Sequence, residues 1–118
     1  MKNPKAKINN YNDGFIRVYE ENIVKTNFGA KQNSKSIDNL TLVVKLAYTE
    51  CSKRQQDLEF AESMSKSLNL KVKTRLYEKV KNNHKVVIQN TLYDIIYLDY
   101  DRKNREMYVY LEEVRELV

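Results

Sequence analysis

The chain of 118 residues is 42% apolar and 31% charged, with a formal net charge of +5, a composition typical of one globular domain. One Cys excludes an internal disulfide, and one His excludes a His-paired metal site. No apolar run approaches the roughly 18 residues that a membrane helix requires. Residues 1–12 lack the apolar core of a secretory signal. We therefore predict a single domain over residues 1–118, with residues 1–12 as a flexible tail and no membrane partner.

Strand signals begin early in the chain. A β-branched and aromatic run at residues 14–20 follows turn residues and predicts the first strand. Residues 25–39 are polar and have no apolar period, so they predict a long exposed loop. Alternation of apolar and polar residues over 40–49 predicts a half-buried second strand.

A short helix is predicted next. Ser52 and Gln55 have the spacing of a capping box, and apolar residues follow at helical intervals, which predicts a helix over about residues 53–66. Its apolar stripe is narrow. We therefore expect residues 52–66, like residues 25–36, to be less ordered than the strands in the free monomer.

Four further strands are predicted over residues 69–77, 84–89, 92–100 and 105–112, joined by tight turns. No βαβ alternation occurs. The predicted fold class is therefore mainly β, a small antiparallel β-barrel or sandwich with one helix-bearing connection. The inward positions of the strands predict these core residues: Leu42, Val44, Leu46, Val72, Val86, Ile88, Ile96, Val109 and Leu111.

Two pairs of residues are of the types that serve catalysis or metal binding, but neither pair is a strong signal of such a site. Cys51 and His84 are the one thiol and the one imidazole, but a free Cys is more often a small packing residue. Asp99 and Asp101 have the i, i+2 spacing that can place two carboxylates on one Mg²⁺. Acidic residues are also ordinary at turns, and no third ligand accompanies these two. We predict no enzyme activity, no metal and no cofactor.

A basic strand is the strongest polar signal. Alternate placement puts Lys71, Lys73 and Arg75 on one sheet face, about 7 Å apart. Residues 66–85 hold seven basic groups and one acidic group, Glu78. We predict that Lys71, Lys73 and Arg75 face outward and contact a partner, either nucleic acid or an acidic protein surface. A solvated face without a partner remains the alternative.

Tyrosines are concentrated in the last two predicted strands. Nucleic-acid bases can stack on such rings, and cross-strand aromatic pairs can equally stabilise the hairpin. The residues concerned are Tyr93, Tyr97, Tyr100, Tyr108 and Tyr110.

The order and spacing of strands and turns resemble those of a known family. The similarity covers about residues 12–114, and its segments are residues 27–33, 53–61, 71–75, 84–88, 92–95 and 106–114. This pattern is similar to the head–tail joining family of long-tailed bacteriophages, especially the head-closure (stopper) proteins of phages of Gram-positive hosts.

The resemblance implies a small β-barrel that assembles as a homo-oligomeric ring in the virion neck, a connector that joins the DNA-filled head to the tail and closes the DNA exit channel. The implied partners are further copies of the chain, the portal-associated adaptor protein, a tail-terminator or tail-completion protein, and genomic DNA in the channel. Assembly would take place in the bacterial host cytoplasm, from a phage or prophage genome. The gate segment of the family maps to residues 49–66, with these candidates: Ser52, Lys53, Arg54, Gln55 and Gln56.

A second interpretation of the residues remains open. A free oligonucleotide-binding small β-barrel would share this composition and these strands. Clear affinity for single strands with a steep dependence on salt would favour it.

Overall fold

The computed structural model describes residues 11–22, 24–25, 31–32 and 39–117. Within these ranges the chain forms eight strands and one helix. The elements are β1 (Gly14–Glu21), β2 (Val24–Lys25), β3 (Lys31–Gln32), β4 (Leu40–Cys51), α1 (Gln55–Ser63), β5 (Leu70–Arg75), β6 (Lys85–Ile88), β7 (Thr91–Asp101) and β8 (Glu106–Glu116).

Six of the described strands close into an antiparallel barrel in the order β1-β4-β5-β8-β7-β6. β1 closes the ring, because it pairs with β4 on one side and with β6 on the other. Closure pairs the backbone groups that an open sheet would expose at its edges. The predicted fold class, a small antiparallel β-barrel with a helix-bearing connection between β4 and β5, is confirmed.

Two apolar clusters lie on opposite sides of the barrel wall. The inner cluster fills the barrel and includes Ile16, Val18, Leu46, Tyr48, Val72, Val80, Val86, Ile88, Ile95, Leu98, Met107, Val109 and Leu111. The outer cluster packs α1 and the segment after it against β7 and β8, through Ala61, Leu68, Ile96 and Tyr110. Of the predicted core residues, Val44 is partly buried against the inner cluster and Ile96 belongs to the outer one.

The prediction that Leu42 is buried is wrong, since its side chain is 53% exposed. In the β1–β4 ladder Val18 pairs with Val44, but the next residue, Tyr19, pairs with Leu42, so Val43 is an extra residue. This β-bulge reverses the inside–outside alternation beyond it. Leu42 therefore lies on the outer side, while Leu46, on the C-terminal side of the bulge, is buried.

Helix α1 is shorter than predicted, and its cap differs. Its N-cap residue is Arg54, and the backbone N–H of Arg54 donates to the Asp57 carboxylate at 3.0 Å, so the predicted Ser52–Gln55 capping box is wrong. The helix ends because Ser65 adopts a left-handed φ of 58°. The N–H of Lys66 then bonds to Ala61 O at 2.9 Å, which forms a Schellman motif.

Several expectations fall largely outside the described ranges. Residues 1–10 of the predicted tail are among them, whereas the Tyr11 hydroxyl donates to Glu106 at 3.0 Å. Most of the predicted loop at residues 25–39, including its expected order, also lies outside. Where the structure describes this part of the chain, β2 and β3 pair with each other, which the sequence did not predict.

The bulge yields a matched stability test within β4. Leu46→Ala should lower the free energy of unfolding by about 2–5 kcal/mol, because it leaves a cavity in the barrel. Leu42→Ala should cost less than about 1 kcal/mol, because its side chain is already half in solvent. Urea denaturation of both variants measures the difference, and equal costs would contradict the bulge.

Candidate contact face

The basic residues of β5 lie on an outer surface that β5 forms together with β8 and β7. The strand registers place three rows of side chains across it: Arg75–Glu106–Asp101, Lys73–Tyr108–Asp99 and Lys71–Tyr110–Tyr97. Val72 and Thr74, at the alternate positions of β5, are fully buried on the inner side. The three basic residues therefore share the outer face, as their alternation predicted, but the three rows have very different surroundings.

Lys71 does not face solvent, so that part of the prediction is wrong. Helix α1 lies over it and leaves the residue 6% exposed. Its Nζ is 2.9 Å from the Asp57 carboxylate and lies 5.1 Å from the centre of the Tyr110 ring. The helix therefore removes the first charge of the basic strand from the surface.

Asp57 connects the helix to the barrel through several hydrogen bonds. Its carboxylate accepts from Lys71 Nζ, from the Arg54 guanidinium at 3.2 and 3.3 Å, and from the Tyr110 hydroxyl at 3.4 Å. Burial by itself would raise the pKa of Asp57, but the hydrogen bonds from Arg54 and Lys71 outweigh it and hold that pKa well below its usual range. Burial would likewise lower the pKa of Lys71, yet the bond to Asp57 raises it. Both groups are therefore charged at neutral pH.

Lys73 is neutralised by a second buried carboxylate. Its Nζ is 3.5 Å from Glu106 Oε2, and Glu106 is 1% exposed. The Tyr11 hydroxyl donates to the same oxygen, and burial together with this bond raises the pKa of Tyr11 to about 12. Acids of α1 and β8 therefore pair with Lys71 and Lys73 within the chain itself.

Arg75 is the exposed member of the basic strand, and it lies in a cleft that the sequence analysis did not identify. The cleft is open, has a volume of about 540 Å³, and is lined by Arg75, Leu76, Glu78, Arg102 and Arg105; we call it the arginine cleft. The Arg102 guanidinium contacts Glu78 Oε1 at 2.7 and 2.9 Å. In the fold, Arg75 of β5 pairs with Glu106 of β8, and Glu106 pairs with Asp101 of β7. A sequence prediction that paired these strands in this register would have placed the turn between β7 and β8 beside Arg75.

The candidate catalytic pair consists of Cys51 and His84, and the two residues have different surroundings. Cys51 ends β4 beside Lys71, and burial raises the pKa of its thiol while Lys71 and Lys73 partly offset the shift. His84 is buried before β6, and its Nδ1 accepts from the Lys81 backbone N–H at 3.1 Å. Asp101 accepts from the Asn104 backbone N–H at 3.2 Å, which is a turn role. Over the described ranges no three His, Cys, Asp or Glu residues form a group that could hold a metal.

The five gate candidates, residues 52–56, are all exposed. They enter and open α1, which packs on the outer side of the barrel. Lys53 Nζ donates to Asn69 O at 3.1 Å, which ties the start of the β4–β5 connection to its end. The gate role of this segment stays a prediction.

Two of the five tyrosines, Tyr97 and Tyr110, form a cross-strand aromatic group beside α1. Tyr97 and Tyr110 meet edge to face with ring centres 5.7 Å apart, and Phe60 of α1 meets Tyr97 at 5.2 Å. The interpretation of these rings as cross-strand pairs is confirmed for Tyr97 and Tyr110.

Comparison of the chain with protein-family models finds no match, and comparison with curated proteins finds no similar sequence. No helix in the described part of the chain is long and apolar enough to span a membrane.

Breaking the Asp57–Lys71 pair should destabilise the protein strongly. Lys71→Met should lower the free energy of unfolding by about 1.5–3 kcal/mol, because the buried Asp57 carboxylate loses one charged hydrogen bond while Arg54 still pairs with it. Asp57→Asn combined with Lys71→Met should recover part of that loss, since no buried charge remains and the amide oxygen can still accept from Arg54. The exposed Lys79→Met is the control. If Lys71→Met unfolds at the same urea concentration as Lys79→Met, the pair does not hold the helix.

His84 should make stability depend on pH near neutrality. Burial, with a smaller contribution from Lys81, lowers its pKa from 6.5, whereas Glu20 opposes the shift. The unfolded chain therefore takes up the proton first, so stability is fully present above the unfolded pKa and is lost as pH falls through it. Denaturation from about pH 7.5 to about pH 5.5 should show this loss in the natural protein and a smaller one in His84→Asn, which retains an acceptor for Lys81 N–H. Identical pH slopes would rule out this role.

Proposed function

We propose that the protein is a non-enzymatic structural component of a phage virion neck, which joins the DNA-filled head to the tail as a ring of identical subunits. The sequence resemblance to head-closure proteins supports this proposal. The closed barrel with a helix between β4 and β5 is the architecture that the resemblance implies.

The observation that carries the proposal is an unequal distribution of charge between the two ends of the barrel. At one end, which we call the basic end, residues 76–84 and 102–105 hold five basic groups and one acidic group, a net charge of +4. At the opposite end, residues 52–69 and 89–90 hold three of each and are neutral. The end of β8 adds Glu112, Glu113 and Glu116 against Arg115 there.

A part that is stacked between two different partners needs two chemically different ends. Complementary charge orients such docking and speeds it more than it adds affinity. A basic end can meet an acidic ring or DNA, while the end that carries the β8 glutamates can meet a basic surface. Lys71 and Lys73 are already paired within the chain, so contact through the basic strand falls to Arg75 and its neighbours at the basic end.

A free nucleic-acid-binding barrel is the second candidate, and the arginine cleft favours it. The planar guanidinium group of arginine binds phosphate groups well, because its N–H donors match the spacing of phosphate oxygens. A gel shift on single-stranded oligonucleotides separates the two candidates, because a free binder should show affinity at physiological salt that falls steeply as salt rises.

Removing the gene from the phage or prophage that encodes it tests the assembly role. Electron microscopy should then show filled heads and free tails, and plasmid-borne protein should restore whole particles. Lys79→Glu with Lys103→Glu should fail to restore them, because the two reversals cancel the net charge of the basic end.

Lys45→Glu with Arg115→Glu is the matched control, because it changes the net charge equally, leaves the basic end intact and touches no gate candidate. It should restore particles. Normal infectious particles without the gene would refute the proposed function. Normal particles with the Lys79 and Lys103 variant would refute the role of the basic end.

A further inference from the structure

The arginine cleft is built from two parts of the chain that the barrel brings together. Arg75 ends β5, and Arg102 and Arg105 lie in the turn between β7 and β8. The backbone N–H of Leu76 donates to Arg105 O at 2.8 Å, which joins the two walls. The side chains of the cleft carry three positive charges and one negative charge.

One arginine of the cleft is held in place before any ligand arrives. The Arg102 guanidinium lies 5.2 Å from the centre of the Tyr100 ring and bonds to Glu78. The Tyr100 hydroxyl in turn donates to Val80 O at 2.9 Å, which fixes the ring. Such a fixed guanidinium loses little conformational freedom when it binds an anion.

The other two arginines form no ion pair with an acid in the described part of the chain. Arg75 is exposed at the end of its strand, and Glu106, its cross-strand neighbour, bonds to Lys73 and Tyr11 instead. Arg105 is exposed too and adopts a left-handed φ of 54°. The guanidinium groups of these two arginines therefore remain able to donate charged hydrogen bonds to a ligand.

We propose that the arginine cleft binds a phosphate group. A phosphate has several oxygens around one centre, so it can take hydrogen bonds from more than one guanidinium at once. A concave site with forks on both walls matches that geometry better than the single carboxylates of a flat acidic surface. Glu78 competes with the anion for Arg102, so it limits the affinity.

The phosphate can belong to free inorganic phosphate or to the backbone of a nucleic acid. The chemistry of recognition is the same for both. Phosphate binding does not depend on the neck role. The two proposals are tested with different variants, so either one can fail without the other.

Titration of the full chain followed by ¹H–¹⁵N NMR tests the inference. Inorganic phosphate at low ionic strength should cause saturable shifts at the cleft residues, and Arg75→Gln with Arg105→Gln should weaken binding by about tenfold or more. Arg105→Gln retains a Cβ, so the left-handed turn is not strained further. Lys45→Gln with Arg115→Gln removes the same charge elsewhere and should bind as the natural protein does.

Glu78→Gln gives an effect of opposite sign. It removes the competing carboxylate, so phosphate should bind several-fold more tightly. A structural role for Glu78 would not predict tighter binding.

A short DNA duplex identifies the source of the phosphate. Displacement of inorganic phosphate from the cleft by the duplex, or binding of the duplex that depends on Arg75 and Arg105, assigns the site to a nucleic-acid backbone. Binding of inorganic phosphate without the duplex assigns it to a free anion. If neither binds saturably, or if the control variant weakens binding as much as the cleft variant, the inference is overturned.

Discussion

The burial of Lys71 beneath α1 is the interaction on which the arrangement of the outer face depends. A buried ammonium is costly unless it is paired and hydrogen-bonded. Asp57 provides that partner and also caps the helix through the Arg54 backbone. One carboxylate therefore fixes both the start of α1 and its position on the barrel.

Few apolar side chains of the helix itself are fully buried. Asp57 and Ala61 are its buried residues, whereas Leu58 and Phe60 are 37% and 44% exposed. The prediction of a narrow stripe was therefore sound. The expectation that residues 52–66 are less ordered than the strands stays a prediction, and it did not take the buried Asp57–Lys71 pair into account.

The same pairing determines where charge is available to partners. Lys71 and Lys73 are neutralised by Asp57 and Glu106, so the basic strand presents Arg75 alone among its three members. Charge from the two turns at the basic end then surrounds Arg75. Both the proposed neck role and the proposed phosphate site depend on unpaired positive charge lying at the basic end of the barrel and not along β5.

The strands were predictable because alternation is a local property of the sequence. Leu46 and Val109 occupy the positions that their pattern indicates. Leu42 does not, because a bulge at Val43 depends on the pairing of β4 with β1 and leaves no local signal.

The site was less predictable because its partners are distant in sequence. Asp57 lies 14 residues before Lys71, and a window around the basic strand contains Glu78 instead. In the fold Glu78 pairs with Arg102, across the barrel end. Charge balance within a window therefore identified the right strand, but it did not show that two of its three basic residues are paired within the chain.

Lysine acetylation of the native protein, followed by mass spectrometry, tests the central claim most directly. Lys71 should stay unmodified in the folded chain and react after denaturation, while Lys79 and Lys103 should react rapidly throughout, since they are exposed. Lys71 reacting in the folded protein as fast as Lys79 would show that α1 does not cover the basic strand, and would contradict the account.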